Sequence, residues 1–249
     1  MKLSADFFST ARLRSLLTLI VRNINISIMK KLFVAALVAV CAMSIAAQEK
    51  YQYNEFYYQR SSLFASLPVE EGDIVFLGDS QTNGCEWHEL LGLPNVKNRG
   101  ISSDVLQGFY DRLDPILEGK PAKLFVLGGV NDISHNISAD SLAVAMENLL
   151  MKVKRVSPST DIYLQSLLPI DNSFNRYKAM VGKEQVIIDT NVRYKELANR
   201  LGVTWIDLFS KMVDPETGSM RKGLTNDGLH LLGEGYFVWR DAVLPYVNE

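Results

Sequence analysis

The amino-acid sequence predicts an α/β fold: a three-layer α/β/α sandwich around a five-stranded parallel sheet, in a flavodoxin-like arrangement. Two observations lead to this prediction. Five short apolar segments of strand length alternate with longer segments whose apolar residues recur at helical spacing. In addition, the apolar run Ile74-Val75-Phe76-Leu77 continues directly into Gly-Asp-Ser, as a strand buried on both faces does when it ends in a tight turn. Strands and helices in alternation form βαβ units, whose helices cover both faces of a parallel sheet.

An aromatic-rich helix is predicted before the first strand, within residues 50–67. Its apolar residues recur at spacings of three and four, so we expect one face to pack against the sheet. This face consists of Tyr53, Phe56, Tyr57, Leu63, Phe64 and Leu67. Pro68 ends the helix, because proline lacks the backbone N–H that a helix interior requires.

The other elements follow in order along the chain. Apolar and β-branched runs predict strands at residues 73–77, 96–98, 123–127, 162–166 and 203–208. Helical periodicity predicts helices at residues 81–91, 104–118, 138–156, 184–201 and 233–247. Residues 168–183 contain proline, glycine and asparagine without apolar periodicity, so we expect an irregular loop that forms the rim of a site.

The N-terminal region has the pattern of a secretory signal peptide. Met29-Lys30-Lys31 is followed by an apolar stretch and then by small residues, with cleavage expected near Ala46 or Ala47. The signal is complete if translation begins at Met29, and residues 1–28 would then reflect a start codon assigned too early. Residues 32–47 supply only 16 apolar or small residues, fewer than the ~20 of a spanning helix, which disfavours a membrane anchor. Lipid attachment at Cys41 is disfavoured because Val40, not a smaller residue, precedes it.

The predicted organisation is therefore an N-terminal extension and signal peptide at residues 1–47 and one domain at residues 48–249, exported to the periplasm or the cell exterior. Residues 48–249 contain 20 basic and 27 acidic side chains, a net charge of −7 with neutral histidines. This charge argues against nucleic acid as a partner and against stable membrane association after cleavage. Cys85 is the only cysteine of that domain, so no intrachain disulfide is expected, and a buried apolar role suits it best.

Polar residues follow several of the predicted strands, and the carboxyl ends of parallel strands share one edge of the sheet. Ser80 follows the first strand, where it is either the N-cap of the next helix or a nucleophile. A serine nucleophile needs a base, and the base needs an orienting group. His230 is the best base, because in Asp-Gly-Leu-His one turn brings the Asp227 carboxylate to its ring. His88 is interpreted as a surface or packing residue, and His135 as a loop residue that could line the pocket.

Acyl transfer also requires donors for the developing oxyanion. We expect three: the N–H of Ser80, the N–H of Gly100 after the second strand, and the side-chain amide of Asn131 after the third. The alternative is that Gly100 and Asn131 are turn residues selected because they tolerate positive φ.

With these residues in view, the chain resembles the SGNH hydrolases, also called the GDSL esterase and lipase family. The resemblance rests on four blocks: Gly78-Asp79-Ser80, Asn98-Arg99-Gly100, Gly129-Val130-Asn131-Asp132 and Asp227-Gly228-Leu229-His230. It implies the SGNH hydrolase fold, Ser80 as nucleophile, Asp227 and His230 as its partners, and Ser80, Gly100 and Asn131 as oxyanion donors. Within the family, the second and third blocks look most like platelet-activating factor acetylhydrolase catalytic subunits and related bacterial acetylesterases. Gln81 and Thr82 depart from the leucine of the literal GDSL motif.

These expectations together describe a secreted serine esterase that hydrolyses short-chain, mainly acetyl, esters of small molecules or glycans. The alternatives are a lysophospholipase or thioesterase that prefers longer acyl groups, and an inactive glycan-binding protein of the same fold. We expect no metal, because no His/Cys metal spacing occurs, and no dinucleotide cofactor, because Gly128-Gly129 is too short for a phosphate-binding loop. The oligomeric state is left open.

Overall fold

A five-stranded, all-parallel sheet forms the centre of the computed structural model, which describes residues 30, 31, 33 and 51–249. The strands are ordered β2-β1-β3-β4-β5, which confirms the predicted α/β sandwich with flavodoxin-like order. Their bounds are Ile74–Gly78 (β1), Val96–Gly100 (β2), Lys123–Leu127 (β3), Asp161–Gln165 (β4) and Thr204–Ile206 (β5). Outside the described residues lie three predicted features of the N-terminal region: the start at Met29, the apolar stretch with Cys41, and the cleavage zone.

Ten α-helices accompany the sheet within residues 51–249. They are Glu55–Ser66 (α1), Ser80–Asn83 (α2), Trp87–Leu91 (α3), Leu106–Asp111 (α4), Asp114–Glu118 (α5), Val130–Ser134 (α6), Ala139–Val156 (α7), Glu184–Leu201 (α8), Phe209–Met212 (α9) and Gly233–Val247 (α10). The loop at 168–183 is irregular, as predicted, apart from the 3₁₀ turns Asn172–Phe174 and Lys178–Met180. No helix of the described residues is long and apolar enough to cross a membrane.

The sheet separates two apolar cores, because successive side chains of a strand point to opposite faces. On β1, Val75 and Leu77 belong to the core beneath α4, α7 and α8. Ile74 and Phe76 belong to the other core, beneath α3 and α10, where Phe76 stacks on Trp87. All five residues of β1 are buried, as its continuous apolar run predicts for a central strand.

The register of the sheet aligns the strand ends that carry the candidate site. Gly78, the last residue of β1, is paired with Gly100 on β2 and with Leu127 on β3. The chain therefore leaves three neighbouring strands at the same level. The segments that follow them, beginning at Asp79, Ile101 and Gly128, meet at one edge of the sheet.

Two of the predicted helices are interrupted in the structure. The predicted helix at 104–118 divides into α4 and α5, because Pro115 cannot donate the hydrogen bond that would join them. The predicted helix at 81–91 divides into α2 and α3, which Gly84 separates. Glycine weakens a helix interior by about 1 kcal/mol relative to alanine, so two short helices replace the long one.

Helix α1 forms as predicted, but the face predicted for it is wrong in part. Tyr57 and Phe64 are buried, in a separate cluster with Ile101 at the end of β2. Phe56, Leu63 and Leu67, which were expected on the same face, are 40%, 44% and 45% exposed. Helix α1 therefore buries only part of the predicted face.

Candidate active site

Ser80 lies in a sharp strand-to-helix turn at the carboxyl end of β1. Asp79 is the N-cap of α2, and its Oδ1 accepts the N–H of Gln81 at 3.0 Å. A Cβ on Gly78 would lie 2.0 Å from Thr82 Oγ1 and 2.9 Å from the Leu127 carbonyl oxygen. Only glycine therefore allows α2 to turn back so closely over the strand end. The turn presents Ser80 as the first residue of α2.

The structure brings Ser80, His230 and Asp227 together across the sheet edge. Ser80 Oγ lies 2.8 Å from His230 Nε2, and His230 Nδ1 lies 2.8 Å from Asp227 Oδ2. The second carboxylate oxygen, Asp227 Oδ1, accepts the backbone N–H groups of Leu229 at 2.9 Å and His230 at 2.8 Å. Such an array can orient the imidazole and let Nε2 accept the serine proton.

Tyr177 is a further member of this array that the sequence analysis missed. Its hydroxyl donates to Asp227 Oδ2 at 3.0 Å and lies 3.1 Å from His230 Nδ1. The residue belongs to the loop predicted to form the rim, 50 positions before Asp227, so no sequence spacing connects them. The rim loop is thus in contact with the catalytic candidates themselves.

The electrostatics of Asp227 suit an orienting role. Burial raises the pKa of this carboxyl, but the hydrogen bonds from the His230 side chain, two backbone N–H groups and Tyr177 outweigh it and hold the pKa below its usual range. The carboxylate is therefore charged across the range in which most enzymes work. A charged acceptor at Nδ1 keeps the ring proton on that nitrogen.

Asn131 and Gly100, the two predicted oxyanion donors beside Ser80, are placed differently. Asn131 lines the cavity in front of Ser80, and its Nδ2 donates to the Asp104 carbonyl oxygen at 2.9 Å, which leaves a second N–H. The N–H of Gly100 instead donates to Asn98 Oδ1 at 2.7 Å. Gly100 does not line the cavity, and a Cβ there would lie 2.2 Å from Asn83 N. Gly100 therefore has a structural role, because its lack of a side chain allows β2 to approach α2 closely.

Ser103 offers a backbone donor where Gly100 does not. It lines the cavity with Ser80 and Asn131, and its φ of 64° places it in the left-handed region. Within residues 51–249 its N–H has no acceptor. The run Gly-Ile-Ser-Ser-Asp after β2 indicates a turn, but nothing in it distinguishes Ser103 as a donor.

A buried arginine connects the segments that carry these groups. The Arg112 guanidinium donates to Asp104 Oδ2 at 2.7 Å, to the Arg99 carbonyl oxygen at 2.8 Å and to the Gly78 carbonyl oxygen at 3.0 Å. It therefore joins the ends of β1 and β2 to the turn that follows Ser103. Asp104 in turn accepts from Asn131 through its carbonyl oxygen.

The cavity in front of Ser80 has a volume of about 530 Å³, within the range of small-molecule sites. Its lining includes Ser102, Ser103 and Asn131 as well as residues 176–180 of the rim loop. His135 lines it, as the sequence analysis allowed, whereas His88 is exposed and does not. Among the described residues, no group of histidine, cysteine or acidic side chains is placed to hold a metal ion.

Comparison with known proteins agrees with this geometry. Residues 76–237, which include Ser80, Asn131, Asp227 and His230, match the model of the GDSL-like lipase/acylhydrolase family. The chain belongs to this family. No curated protein matches the sequence.

Several solved structures superpose on the chain. A protein described provisionally as a platelet activating factor from Streptococcus pneumonia matches at 27% identity with a TM-score of 0.72, covering 85% of this chain and 99% of that one. A GDSL-like lipase from Bacteroides thetaiotaomicron matches at 22% identity with a TM-score of 0.68, covering 77% and 97%. An acetyl-xylooligosaccharide esterase from Geobacillus matches at 15% identity with a TM-score of 0.59, covering 74% and 97%. The last two likenesses concern the fold alone.

Beneath the site lies an acidic group with an unusual environment. Asp79 is 0% exposed, and within the described residues its Oδ2 has no hydrogen-bond partner. Burial raises the pKa of this carboxyl to about 7, although the hydrogen bond from Gln81 lowers it, and the nearby Asp104 raises it further. Burial likewise raises the pKa values of Asp104 and Asp132 to about 6. The folded protein therefore favours the protonated form of Asp79.

We expect Asp79→Asn to stabilise the protein at alkaline pH and to flatten its stability profile. Because the folded-state pKa is raised, the stability linked to this proton is complete below about pH 4 and is lost as the pH rises through about 7. Asparagine keeps the capping oxygen but cannot ionise. The difference in Tm between variant and wild type should grow from pH 5 to pH 8. The exposed control Asp189→Asn should show a Tm difference that does not change with pH. The same constant difference for Asp79→Asn would contradict the raised pKa of Asp79.

Proposed function

We propose that this acylhydrolase is a serine esterase that cleaves short-chain esters, acetyl esters first, and that its natural substrates are O-acetyl groups on carbohydrates. The observation that carries the proposal is the continuous array from Ser80 Oγ through His230 to Asp227, with contacts of 2.8 Å at each step. The array opens into a cavity whose other lining includes hydroxyl and amide groups. That combination suits attack on an ester whose alcohol portion is polar.

The proposed reaction has two steps. His230 Nε2 takes the proton of Ser80 as Ser80 Oγ attacks the ester carbonyl. The same nitrogen then protonates the departing alcohol. Water, activated by His230, next hydrolyses the acyl-enzyme and restores Ser80. No proton is assigned to Asp227, which holds the ring in the required tautomer and stabilises the imidazolium.

The tetrahedral oxyanion requires preorganised donors. We assign the N–H of Ser80, the free N–H of the Asn131 side chain and the N–H of Ser103 to this role. Gly100, which the sequence analysis placed there, is replaced in this assignment because its N–H is engaged by Asn98. Loss of one such donor typically costs ~2.7–4 kcal/mol of transition-state stabilisation.

The size and lining of the cavity favour an ester with a small acyl group and a larger polar alcohol. A volume of about 530 Å³ exceeds what an acetyl group occupies, so most of the space is available to the alcohol portion. Ser102, Ser103 and Ser134 supply hydroxyl groups that suit a sugar. Val130, Met180 and Leu229 also line the cavity, and they are what a longer acyl chain would contact in a lysophospholipase or thioesterase.

Export is a separate part of the proposal. We infer that residues 1–47 direct the chain out of the cytoplasm and are removed near Ala46 or Ala47. The acidic domain that remains would act on soluble esters in the periplasm or outside the cell, with neither nucleic acid nor membrane as a partner.

The proposal is tested by hydrolysis of p-nitrophenyl esters from acetate to palmitate. We expect the highest kcat/KM on acetate, a decline with chain length, and loss of nearly all activity in Ser80→Ala. Ser102→Ala, which removes a hydroxyl from the same cavity, serves as the matched control and should retain most of the activity. A preference for long chains would assign the enzyme to lipids or thioesters. Activity that is absent on every ester, or equal in Ser80→Ala, would refute the esterase and leave a binding protein.

A further inference from the structure

The rim of the cavity carries positive charge in a domain with an excess of acidic residues. Arg176 and Lys178 line the cavity, and no aspartate or glutamate is among the lining residues of the described chain. Both side chains are exposed, and neither forms an ion pair within residues 51–249. An acidic protein that keeps two unpaired cations at its site concentrates positive potential there.

The backbone that presents these cations is held in place. The N–H of Asp171 donates to the Gly228 carbonyl oxygen at 2.8 Å, which ties the start of the loop to the turn before His230. Met180 is buried, with 3% exposure, and its carbonyl oxygen accepts from Asn172 Nδ2 at 3.1 Å. The loop is therefore anchored at both ends of the stretch that carries the charges.

Tyr177 lies between the two cations in the sequence and is itself in contact with the reacting groups. Its hydroxyl reaches Asp227 Oδ2 at 3.0 Å. Burial raises the pKa of this hydroxyl, and its hydrogen bond to Asp227 raises it further, whereas Arg176 lowers it. Arg176 and Lys178 thus flank a residue that touches the Ser80–His230–Asp227 array.

We propose that Arg176 and Lys178 bind an anionic group, a carboxylate or a phosphate, on the alcohol portion of the ester. The inference rests on the proposed function, since it names the class of ester on which that site acts. In this proposal the ester carbonyl lies between Ser80 and Asn131, and the alcohol portion lies beside residues 176–180 of the same cavity. A guanidinium can hold a carboxylate or phosphate through two parallel hydrogen bonds, and an ammonium group adds a point charge beside it.

The test compares three aryl acetates that differ only in the group opposite the ester: p-acetoxybenzoate, its neutral methyl ester, and p-acetoxyphenyl phosphate. We measure kcat/KM for the full-length protein and for Arg176→Gln/Lys178→Gln. The control is Lys154→Gln/Arg155→Gln, which removes equal charge from the last turn of α7, at the opposite edge of the sheet. We expect the anionic-to-neutral ratio to fall roughly ten-fold in the rim variant, as weakened charge pairing predicts, and to stay unchanged in the control.

The same preference should weaken in wild type between 20 and 500 mM NaCl, because salt screens exposed charges. The anionic acetate whose kcat/KM falls more in Arg176→Gln/Lys178→Gln identifies the class of natural substrate. A larger fall for the carboxylate indicates an acidic sugar, and a larger fall for the phosphate indicates a phosphorylated alcohol. Equal kcat/KM for charged and neutral acetates, unaffected by the rim variant, would overturn the inference while leaving the esterase proposal intact.

A binding measurement separates failure of this inference from failure of the proposed function. The Ser80→Ala protein is titrated calorimetrically with p-acetoxybenzoate and with its methyl ester. We expect tighter binding of the anion, lost when Arg176→Gln/Lys178→Gln is added. If wild type hydrolyses no ester but this difference in binding persists, the esterase proposal fails and the anion site stands. If the two ligands bind equally, the anion site is refuted whatever the activity.

Discussion

Replacing His230 by glutamine should lower kcat/KM for p-nitrophenyl acetate by roughly 10⁴- to 10⁶-fold, the range found when one member of a serine–histidine–aspartate triad is removed. The serine hydroxyl is a weak nucleophile without a base, and His230 Nε2, at 2.8 Å, is the base that the structure places beside it. Glutamine is polar and of similar length, so it fills the space without accepting the proton. Steady-state kinetics on the purified variant measure the loss.

Asp227→Asn provides the finer test of the same array. An amide can turn its NH₂ group towards His230 Nδ1 and favour the wrong tautomer, so we expect a fall in kcat of roughly 10⁴-fold with little change in KM. His88→Gln is the control, because His88 is exposed and does not line the cavity. Its kinetics should match wild type. Losses below ten-fold in both His230 and Asp227 variants would remove these residues from the mechanism.

Replacing Arg112 by methionine should lower the free energy of unfolding by about 3–5 kcal/mol, the cost of leaving a buried ion without its partner. Arg112 and Asp104 are both buried, with exposures of 7% and 2%. The substitution also removes the donors to the carbonyl oxygens of Gly78 and Arg99, which lie at the ends of β1 and β2. Urea unfolding of the variant and wild type at pH 8 measures the difference.

Two comparisons make the Arg112 prediction specific. Adding Asp104→Asn to Arg112→Met removes the unpaired charge and should recover part of the loss, whereas the exposed control Lys195→Met should change stability by less than about 0.5 kcal/mol. The cost should also be smaller at pH 5 than at pH 8. Burial already raises the pKa of Asp104 to about 6 despite Arg112, and without Arg112 the carboxyl can take up a proton at low pH. An equal cost at both pH values would mean that charge is not the cause.

Local patterns account for what the sequence predicts well. The apolar run into Gly78-Asp79-Ser80 and the runs at 123–127 and 162–166 locate three strands to within one residue. The helices α7, α8 and α10 carry long apolar periodicities and have nearly the predicted bounds. Ser80 lies at the edge where the parallel strands end, and the segment that follows β5 brings His230 to it across 150 residues of sequence.

Contacts between distant side chains account for what the sequence could not predict. Nothing in the spacing of Asn98 and Gly100 shows that the Gly100 N–H donates a hydrogen bond to the Asn98 side chain. Tyr177 reaches Asp227 only because an irregular loop, without periodicity, is tied to the turn before His230. Nothing in the pattern of the predicted helix at 104–118 shows that the partners of Arg112 come from two strand ends and a turn.

The central claim is that Ser80 forms a covalent acyl-enzyme, and labelling with a fluorophosphonate ester tests it most directly. Such a reagent reacts with a serine activated by a histidine and leaves a phosphonyl adduct that mass spectrometry can locate. We predict one adduct per chain, on the peptide that contains Ser80, with much slower labelling in His230→Gln and none in Ser80→Ala. An unlabelled wild-type protein, or an adduct on another serine that persists in Ser80→Ala, would contradict the account.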